Sequence, residues 1–293
     1  MPSLDLLGWT AARDASFAPF EDRGLHPARV MSEHKGGLAL SWEGGELLGS
    51  PSARLRAAAR AAVGDWVAFE PPETGHRAWV QEVLPRASAF VRKAAGREVA
   101  EQVVAANVDT VFLCTALGRD FNPRRLERYL ALSWQSGARP VLVLTKLDLH
   151  PEQRVREVRV RDERGRHTTA RRDLLLLPDG GLLLDTPGMR ELQLWGAEEG
   201  VARAFADIEA LAPSCRYADC SHADDAACAV ASAVDRGELA PERLESYLRL
   251  AREMERLRAL QDERARAERK GRDKSAQRAL RARLREKGRG DYV

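Results

Sequence analysis

The sequence predicts a multidomain chain with three parts in order. They are a small N-terminal β-barrel of the oligonucleotide-binding (OB-like) type, an α/β layer, and a helical C-terminal module built on a metal knuckle. Three observations carry this reading: short extended pieces punctuated by Gly and Pro over 28–86, an apolar strand–helix–strand pattern over 108–145, and three cysteines with a histidine crowded into 215–228. The expected boundaries are 1–95 for an arm and the barrel, 96–200 for the α/β domain, and 201–293 for the knuckle and basic helices. A chain of 293 residues has room for more than one core.

Five pieces, ARVMSEH, GGLALSWEG, GELLGS, GDWVAFEPP and HRAWVQEVLPR, each of strand length and bounded by turn formers, suit a small antiparallel barrel or sandwich; they fit a five-stranded oligonucleotide-type barrel, and many other small β domains read the same way. The interruption ARLRAAARAA at 53–62 reads as a loop or a helical insert, and residues 1–25 read as a loosely patterned arm. Past Pro85 the pattern changes. VDTVFLCTA at 108–116 reads as a buried strand, with Cys114 as a small buried thiol. NPRRLERYLALSWQSG at 122–137 reads as a helix, with apolar positions at Leu126, Tyr129 and Leu130 and Gly137 as its stop. PVLVLTKLD follows as a second apolar strand, and DLLLLPDGGLLLDTPG as two more joined by an Asp-Gly turn. Such near-continuous apolar strands predict one largely parallel sheet.

With 44% hydrophobic and 31% charged residues, neither a disordered chain nor a membrane protein is expected. The N-terminus has no basic start followed by an apolar stretch, so a cytoplasmic protein is expected. The net charge of +3 divides unevenly: residues 241–293 hold 17 Lys and Arg against 10 Asp and Glu, whereas the remainder is net acidic. That basic end is either a solvated helix face or a contact for a polyanion such as RNA or an anionic membrane.

The cysteine loop carries the strongest chemical signal. Cys215, Cys220, His222 and Cys228 supply three thiolates and an imidazole, the donor set of a closed tetrahedral site, and one zinc per chain is expected there. The alternative is small core thiols with a surface histidine. Thr145, Lys146 and Asp148 directly follow an apolar strand. There a carboxylate can accept hydrogen bonds from a guanine edge, or the segment is an ordinary helix-capping turn. Asp185 and Gly188, in D-T-P-G at another strand end, suit a magnesium partner and a backbone N–H aimed at a terminal phosphate. Gly165-Arg166-His167-Thr168-Thr169 is either a switch loop whose threonine reaches magnesium or a turn.

These segments resemble the circularly permuted, ribosome small-subunit-dependent GTPases, the RsgA family. The resemblance lies in EQVVAANVDTVFLCTAL, FNPRRLERYLALSWQSGARPVLVLTKLDL, GRHTT, LLLDTPGMREL, CRYADCSHADDAAC and RLESYLRL, and covers nearly the whole chain from about residue 25. Its mark is order, because T-K-L-D precedes D-T-P-G here and follows it in ordinary GTPases. The resemblance implies an rRNA-touching barrel, a permuted P-loop-type GTPase domain and a zinc-stabilised helical module. It implies GTP and magnesium as ligands, and the small ribosomal subunit with its ribosomal RNA as partner, for a monomer with no membrane contact. It carries the guanine-specificity motif onto Thr145, Lys146 and Asp148, with Thr145 where Asn is commoner. It carries switch one onto Thr168 and Thr169, switch two onto Asp185 and Gly188, a water-positioning role onto His167, and zinc ligation onto the three cysteines and His222.

The chain departs from the family in one place. Only residues 149–167 separate Asp148 from Thr168, and no G-x-x-x-x-G-K-[ST] occurs anywhere in the sequence. The phosphate-binding loop and the central strand leading to it are therefore missing from the expected GTPase domain. Two functions follow from the residues: a GTP-binding and GTP-hydrolysing factor in late maturation of the small (30S) ribosomal subunit, or a catalytically inactive, zinc-containing rRNA-binding module.

Overall fold

The computed structural model describes residues 3–34, 37–58, 60–72, 77–93, 101–118, 121–146, 173–178, 180–185, 194–223 and 227–290. Five strands form the expected barrel: β1 (His26–His34), β2 (Gly37–Trp42), β3 (Gly45–Pro51), β4 (Trp66–Glu70) and β5 (Arg77–Val83). They run β1-β2-β3-β5-β4 and close through β4 on β1, with His26 facing Phe69 and Arg29 facing Trp66. β3 and β5 are parallel, and the other barrel pairs are antiparallel. Alternate side chains point inward, so Val30, Leu40, Phe69 and Val80 are fully buried together. Gly49 lacks a Cβ where one would lie 2.5 Å from Leu40 Cδ1, so the packed barrel core leaves no room for a side chain there. The insert after β3 is the short helix α2 (Ala53–Ala58), which plugs the barrel with Leu55.

The N-terminal arm is more ordered than the sequence indicates. Residues Ala11–Glu21 form α1, whose Phe17 is buried with Leu7, Trp66 and Leu84 on the outside of the barrel. The Trp9 ring meets Trp66 edge-on at 4.7 Å. Phe17 is the one fully buried residue of α1, and Pro19 interrupts the helix, so the amphipathic signal is too dilute to read.

After the barrel, β6 (Ala89–Lys93) and β7 (Glu101–Ala106) form an antiparallel pair. Then β8 (Thr110–Ala116), α3 (Pro123–Gln135) and β9 (Arg139–Thr145) make the expected strand–helix–strand unit, with β8 and β9 parallel. Asn122 caps α3 by accepting from Arg125 N at 3.1 Å, and Pro123 sits in the first turn, where its missing N–H costs nothing.

Two expectations are corrected here. The last two apolar strands, β10 (Asp173–Leu176) and β11 (Leu182–Asp185), do not join β8 and β9 in one parallel layer. They form an antiparallel hairpin on the edge of β1, where Asp173 faces Ser32. A tight turn supplies antiparallel pairing locally, whereas parallel pairing needs a covered crossover. An apolar run does not state which edge it will meet. Cys114 is exposed rather than buried. On β8, Leu113 and Thr115 are buried while Phe112 (58% exposed) and Cys114 point to the opposite, open face.

The remaining helices are α4 (Glu198–Ala204), α5 (Ala206–Leu211), α6 (Ala229–Asp235) and α7 (Pro241–Gly290). One core holds them against the preceding unit: Phe90, Val104, Ala131 and Leu132 pack with Leu194, Phe205, Ile208, Val230 and Leu250. α3 and α4 cross closely at Gly200, where a Cβ would overlap the Ala131 carbonyl oxygen and lie 2.9 Å from its carbon. No helix among the described residues is long and apolar enough to cross a membrane.

Candidate functional site

The four expected metal ligands converge. Cys215 follows a 3-10 turn at Ala212–Ser214, His222 takes a left-handed conformation (φ 59), and Cys228 opens α6 as its N-cap, its sulfur accepting from Ala231 N at 3.4 Å. A non-glycine residue at positive φ carries a local cost that the surrounding fold must overcome. Here that conformation turns the imidazole inward. Cys215 Sγ lies 3.6 Å and Cys228 Sγ 3.5 Å from His222 Nδ1, and the two sulfurs are 3.9 Å apart. All four donor atoms lie within 4.8 Å of one another.

These spacings can be compared with what a tetrahedral ion demands. Zinc–sulfur bonds of about 2.3 Å and zinc–nitrogen bonds of about 2.0 Å, opened to tetrahedral angles, set S···S near 3.8 Å and S···N near 3.5 Å. The cluster fits a metal ion bound through Nδ1. Burial pushes the Cys220 thiol up to about 12, and the Cys228 and Cys215 sulfurs beside it add to the rise. Thiols packed this closely resist ionising together, and a divalent cation at their centre reverses that preference.

The motif RLESYLRL on α7 supports the knuckle from behind. Arg243 donates to both carboxylate oxygens of Asp207 (2.5 and 2.7 Å), to Glu127 at 2.8 Å and to the Ala204 carbonyl at 2.9 Å, and it stacks on Phe205. One turn later, the Tyr247 ring lies 6.3 Å from that of His222, and its hydroxyl donates to Glu209 at 3.1 Å. Burial, then the Glu209 charge, pushes Tyr247 up to about 12, so it stays a neutral donor. Arg243 and Tyr247 were not singled out as site residues from the sequence. Their spacing of four, one turn of helix, was the available signal.

The nucleotide residues are only partly described. Thr145 closes β9 at its carboxyl end, with Oγ1 donating to the Thr115 carbonyl at 3.3 Å. Lys146 follows at φ 56, a left-handed position that turns the chain off the strand. Asp185 ends β11, facing Asp173 across the hairpin, so the strands bearing Thr145 and Asp185 belong to different sheets. Asp148, His167, Thr168, Thr169 and Gly188 lie outside the described residues.

The barrel, the α/β unit and the cysteine knuckle, in this order, define a class. Two solved structures share the architecture. YjeQ from Thermotoga maritima has a TM-score of 0.56 and 22% identity, over 77% of this chain and 97% of that one. YloQ, described as a circularly permuted GTPase, has a TM-score of 0.54 and 20% identity, over 79% of this chain and 96% of that one. The fold is thus that of the circularly permuted GTPases.

The sequence profile of the RsgA GTPase family matches residues 83–158 and 149–195. A protein of Opitutus terrae named small ribosomal subunit biogenesis GTPase RsgA is 39% identical, over 86% of this chain and 89% of its own. A protein of that name from Streptomyces avermitilis is 36% identical, over 89% of this chain and 88% of its own. The chain belongs to the RsgA GTPase family. These alignments run to 328 and 331 positions, longer than the 293 residues here, so each relative carries positions with no counterpart in this chain. The two profile segments meet at 149–158, where the sequence lacks its phosphate loop.

Proposed function

We propose that this protein acts in maturation of the small ribosomal subunit as a guanine-nucleotide-binding and GTP-hydrolysing factor, with one structural zinc in its knuckle. Family membership carries this reading, supported by T-K-L-D ahead of D-T-P-G and by the close fit of the Cys215, Cys220, His222 and Cys228 cluster to a metal. In this reading Asp148 accepts from the guanine ring N–H and amine, and Lys146 flanks the base. Thr168 or Thr169 and Asp185 serve magnesium, Gly188 N–H faces the terminal phosphate, and His167 orients water. The arm and barrel (1–95) and the knuckle and basic helices (201–293) bind ribosomal RNA around the central segment (96–200). The protein works as a cytoplasmic monomer.

A second reading has its own observation. With no G-x-x-x-x-G-K-[ST] in the sequence, the backbone N–H cradle and the lysine for the β- and γ-phosphates are missing. A nucleotide-independent, zinc-containing RNA-binding module would need neither. Titration of the purified chain with a fluorescent GTP analogue in magnesium separates the two. Micromolar binding displaced by GTP and not by ATP, with phosphate release stimulated by small subunits, is the result expected of the first reading. Absence of binding, with ribosomal RNA affinity intact, overturns it in favour of the second.

A further inference from the structure

The β10–β11 hairpin is held to the barrel at one register position, Asp173 facing Ser32, and among the described residues no strand lies beyond β11. Its two faces differ. On one, Leu174 faces Leu184; Leu174 is buried, and Leu184 packs against the core that also takes Val108 and Val111. On the other, Leu175 faces Leu183, and these two and Leu177 are between 42% and 51% exposed. A hairpin of two four-residue strands is marginal in water by itself. With one apolar face uncovered and a single anchoring position on β1, it belongs to the low-stability end of the fold.

The β8–β9 pair has the complementary deficit. Among the described residues each strand has only the other as its neighbour, so both outer edges are unpaired. Phe112 and Cys114 lie on the open face, paired with Val141 and Val143, and Leu142 and Leu144 of β9 are exposed as well. Parallel strands are ordinarily buried on both faces, and an open apolar edge is a template for another strand. The hairpin is within reach of it. Leu194 is fully buried in the core with Ala131 and Leu132 of α3, and only residues 186–193 separate it from Asp185. An extended connection of that length spans up to about 30 Å. Leu184 already touches the same core, so the path to β8 is short against that reach.

We propose that the β10–β11 hairpin has two seats in this chain: the edge of β1, seen here, and the outer edge of β8, with β11 running parallel to it. In the second seat Asp185 stands level with Ala116, which itself faces Thr145, and Leu183 lies beside Cys114 two positions back. Leu183 then continues the apolar face of Phe112 and Cys114, and the β8 edge gains backbone partners. Asp185 also joins the strand ends at Thr145, from which the first seat holds it apart in another sheet. Only this last consequence rests on the reading of Thr145 and Asp185 as parts of one nucleotide site; the exposed leucines and free edges carry the movement itself. Exchange between the seats is a population equilibrium, and a ligand that touches both strand ends at once draws it to the second.

The test is disulfide trapping in the full chain with diamide as oxidant and no nucleotide present. Leu183→Cys introduces a thiol that the second seat sets beside the native Cys114. Leu48→Cys, at an equally exposed position on β3 of the barrel, is the control. Peptide mass spectrometry is expected to find the bond to Cys114 forming from position 183 at least about tenfold faster than from position 48, because only the first pair shares a seat. A non-reducing gel shows whether the bond lies within one chain. Equal trapping from the two positions, or a bond found only in the dimer band, overturns the proposal. Where Leu183→Cys lowers the melting temperature, a second measurement decides in its place. Leu175→Asp combined with Leu183→Asp leaves the first seat untouched, since both side chains face solvent there, but bars the apolar second one. Alkylation of Cys114 by iodoacetamide is then expected to quicken about twofold if the seats are equally filled in the parent chain. An unchanged rate overturns the proposal. Trapping without binding of a fluorescent GTP analogue leaves the two seats standing and removes the nucleotide reading; binding without trapping does the reverse.

Discussion

Arg86→Met tests what holds the segment leaving β5 to the connection that leads into β4. Asp65 is fully buried, and its carboxylate accepts from Arg86 Nε at 2.7 Å, Arg86 Nη2 at 2.8 Å and Ala62 N at 2.7 Å. The same guanidinium donates to the Arg60 carbonyl at 3.0 Å. The hydrogen bond to Asp65 is the largest influence on Arg86 and raises its pKa further. Methionine preserves the stem and its packing but leaves a buried carboxylate with the Ala62 amide alone. Breaking such a pair from one side costs about 3–5 kcal/mol, most of it the stranded charge. With a urea m-value of roughly 1–3 kcal/mol per molar, the unfolding midpoint of the barrel falls by about 1 M or more. Tryptophan emission follows this transition, because Trp66 is fully buried next to Asp65 in sequence. Adding Asp65→Asn to Arg86→Met removes the charge and restores part of the stability. Arg54→Met, which breaks a pair to Glu82 from an arginine 76% exposed, moves the midpoint little. If Arg86→Met costs no more than Arg54→Met, burial is not what makes the Asp65 pair matter.

Further outcomes follow from other sites. Cys228→Ala removes a metal donor and the cap of α6 together, so zinc per chain by metal analysis is expected to drop well below one and the melting temperature to fall. Gly200→Ala drives a methyl group into the Ala131 carbonyl and is expected to cost about 1–3 kcal/mol in chemical denaturation. Asp207 is held below its ordinary pKa, first by its hydrogen bonds to Arg243. A depressed folded-state value means this stabilisation is complete above the unfolded pKa of about 3.9 and disappears as pH falls through the folded value. Asp207→Asn is therefore expected to flatten the acid limb of a stability profile and leave its shape near neutrality unchanged. Removing 264–293, which holds 12 Lys and Arg against Glu268, Asp273, Glu286 and Asp291, is expected to weaken ribosomal RNA binding and reduce its salt slope without altering zinc content.

The barrel was legible because its code is local. Leu38 and Leu40 alternate with outward residues, and Gly and Pro mark most of its turns. The metal cluster was legible for a related reason, since its donors fall within fourteen consecutive residues. Helix α3 announced itself through Asn122 and Pro123 at one end and Gly137, at φ 86, at the other. What was not legible depends on distant partners. The hairpin β10–β11 reads as buried strand, yet Leu175 and Leu183 are exposed and its edge partner is β1, more than a hundred residues earlier. Asn107 gave no sign of its role. At φ 56 its side chain accepts from Arg13 and Ala87 and donates to Gly64, while its carbonyl accepts from Arg29. One asparagine thereby links helix α1, the barrel and the strand β7, an assignment no local pattern encodes.

The core that runs from Phe90 and Ala131 to Cys228 and Val230 has a thermodynamic consequence for the knuckle. Cys228 is at once one of the four donors that could hold a metal and a packing partner in the cluster that contains Ala131 and Leu132 of α3. A ligand that binds only the folded state lends its free energy to every element that must fold with the site. A metal bound there would therefore act past its own loop, on α3 and through it on the β8–β9 pair that ends at Thr145. The barrel, with its own separate core, falls outside that cooperative unit. In slow hydrogen exchange, chelation would strip protection from the amides of α3 and α6 together and leave those of β4 and β5 as they were.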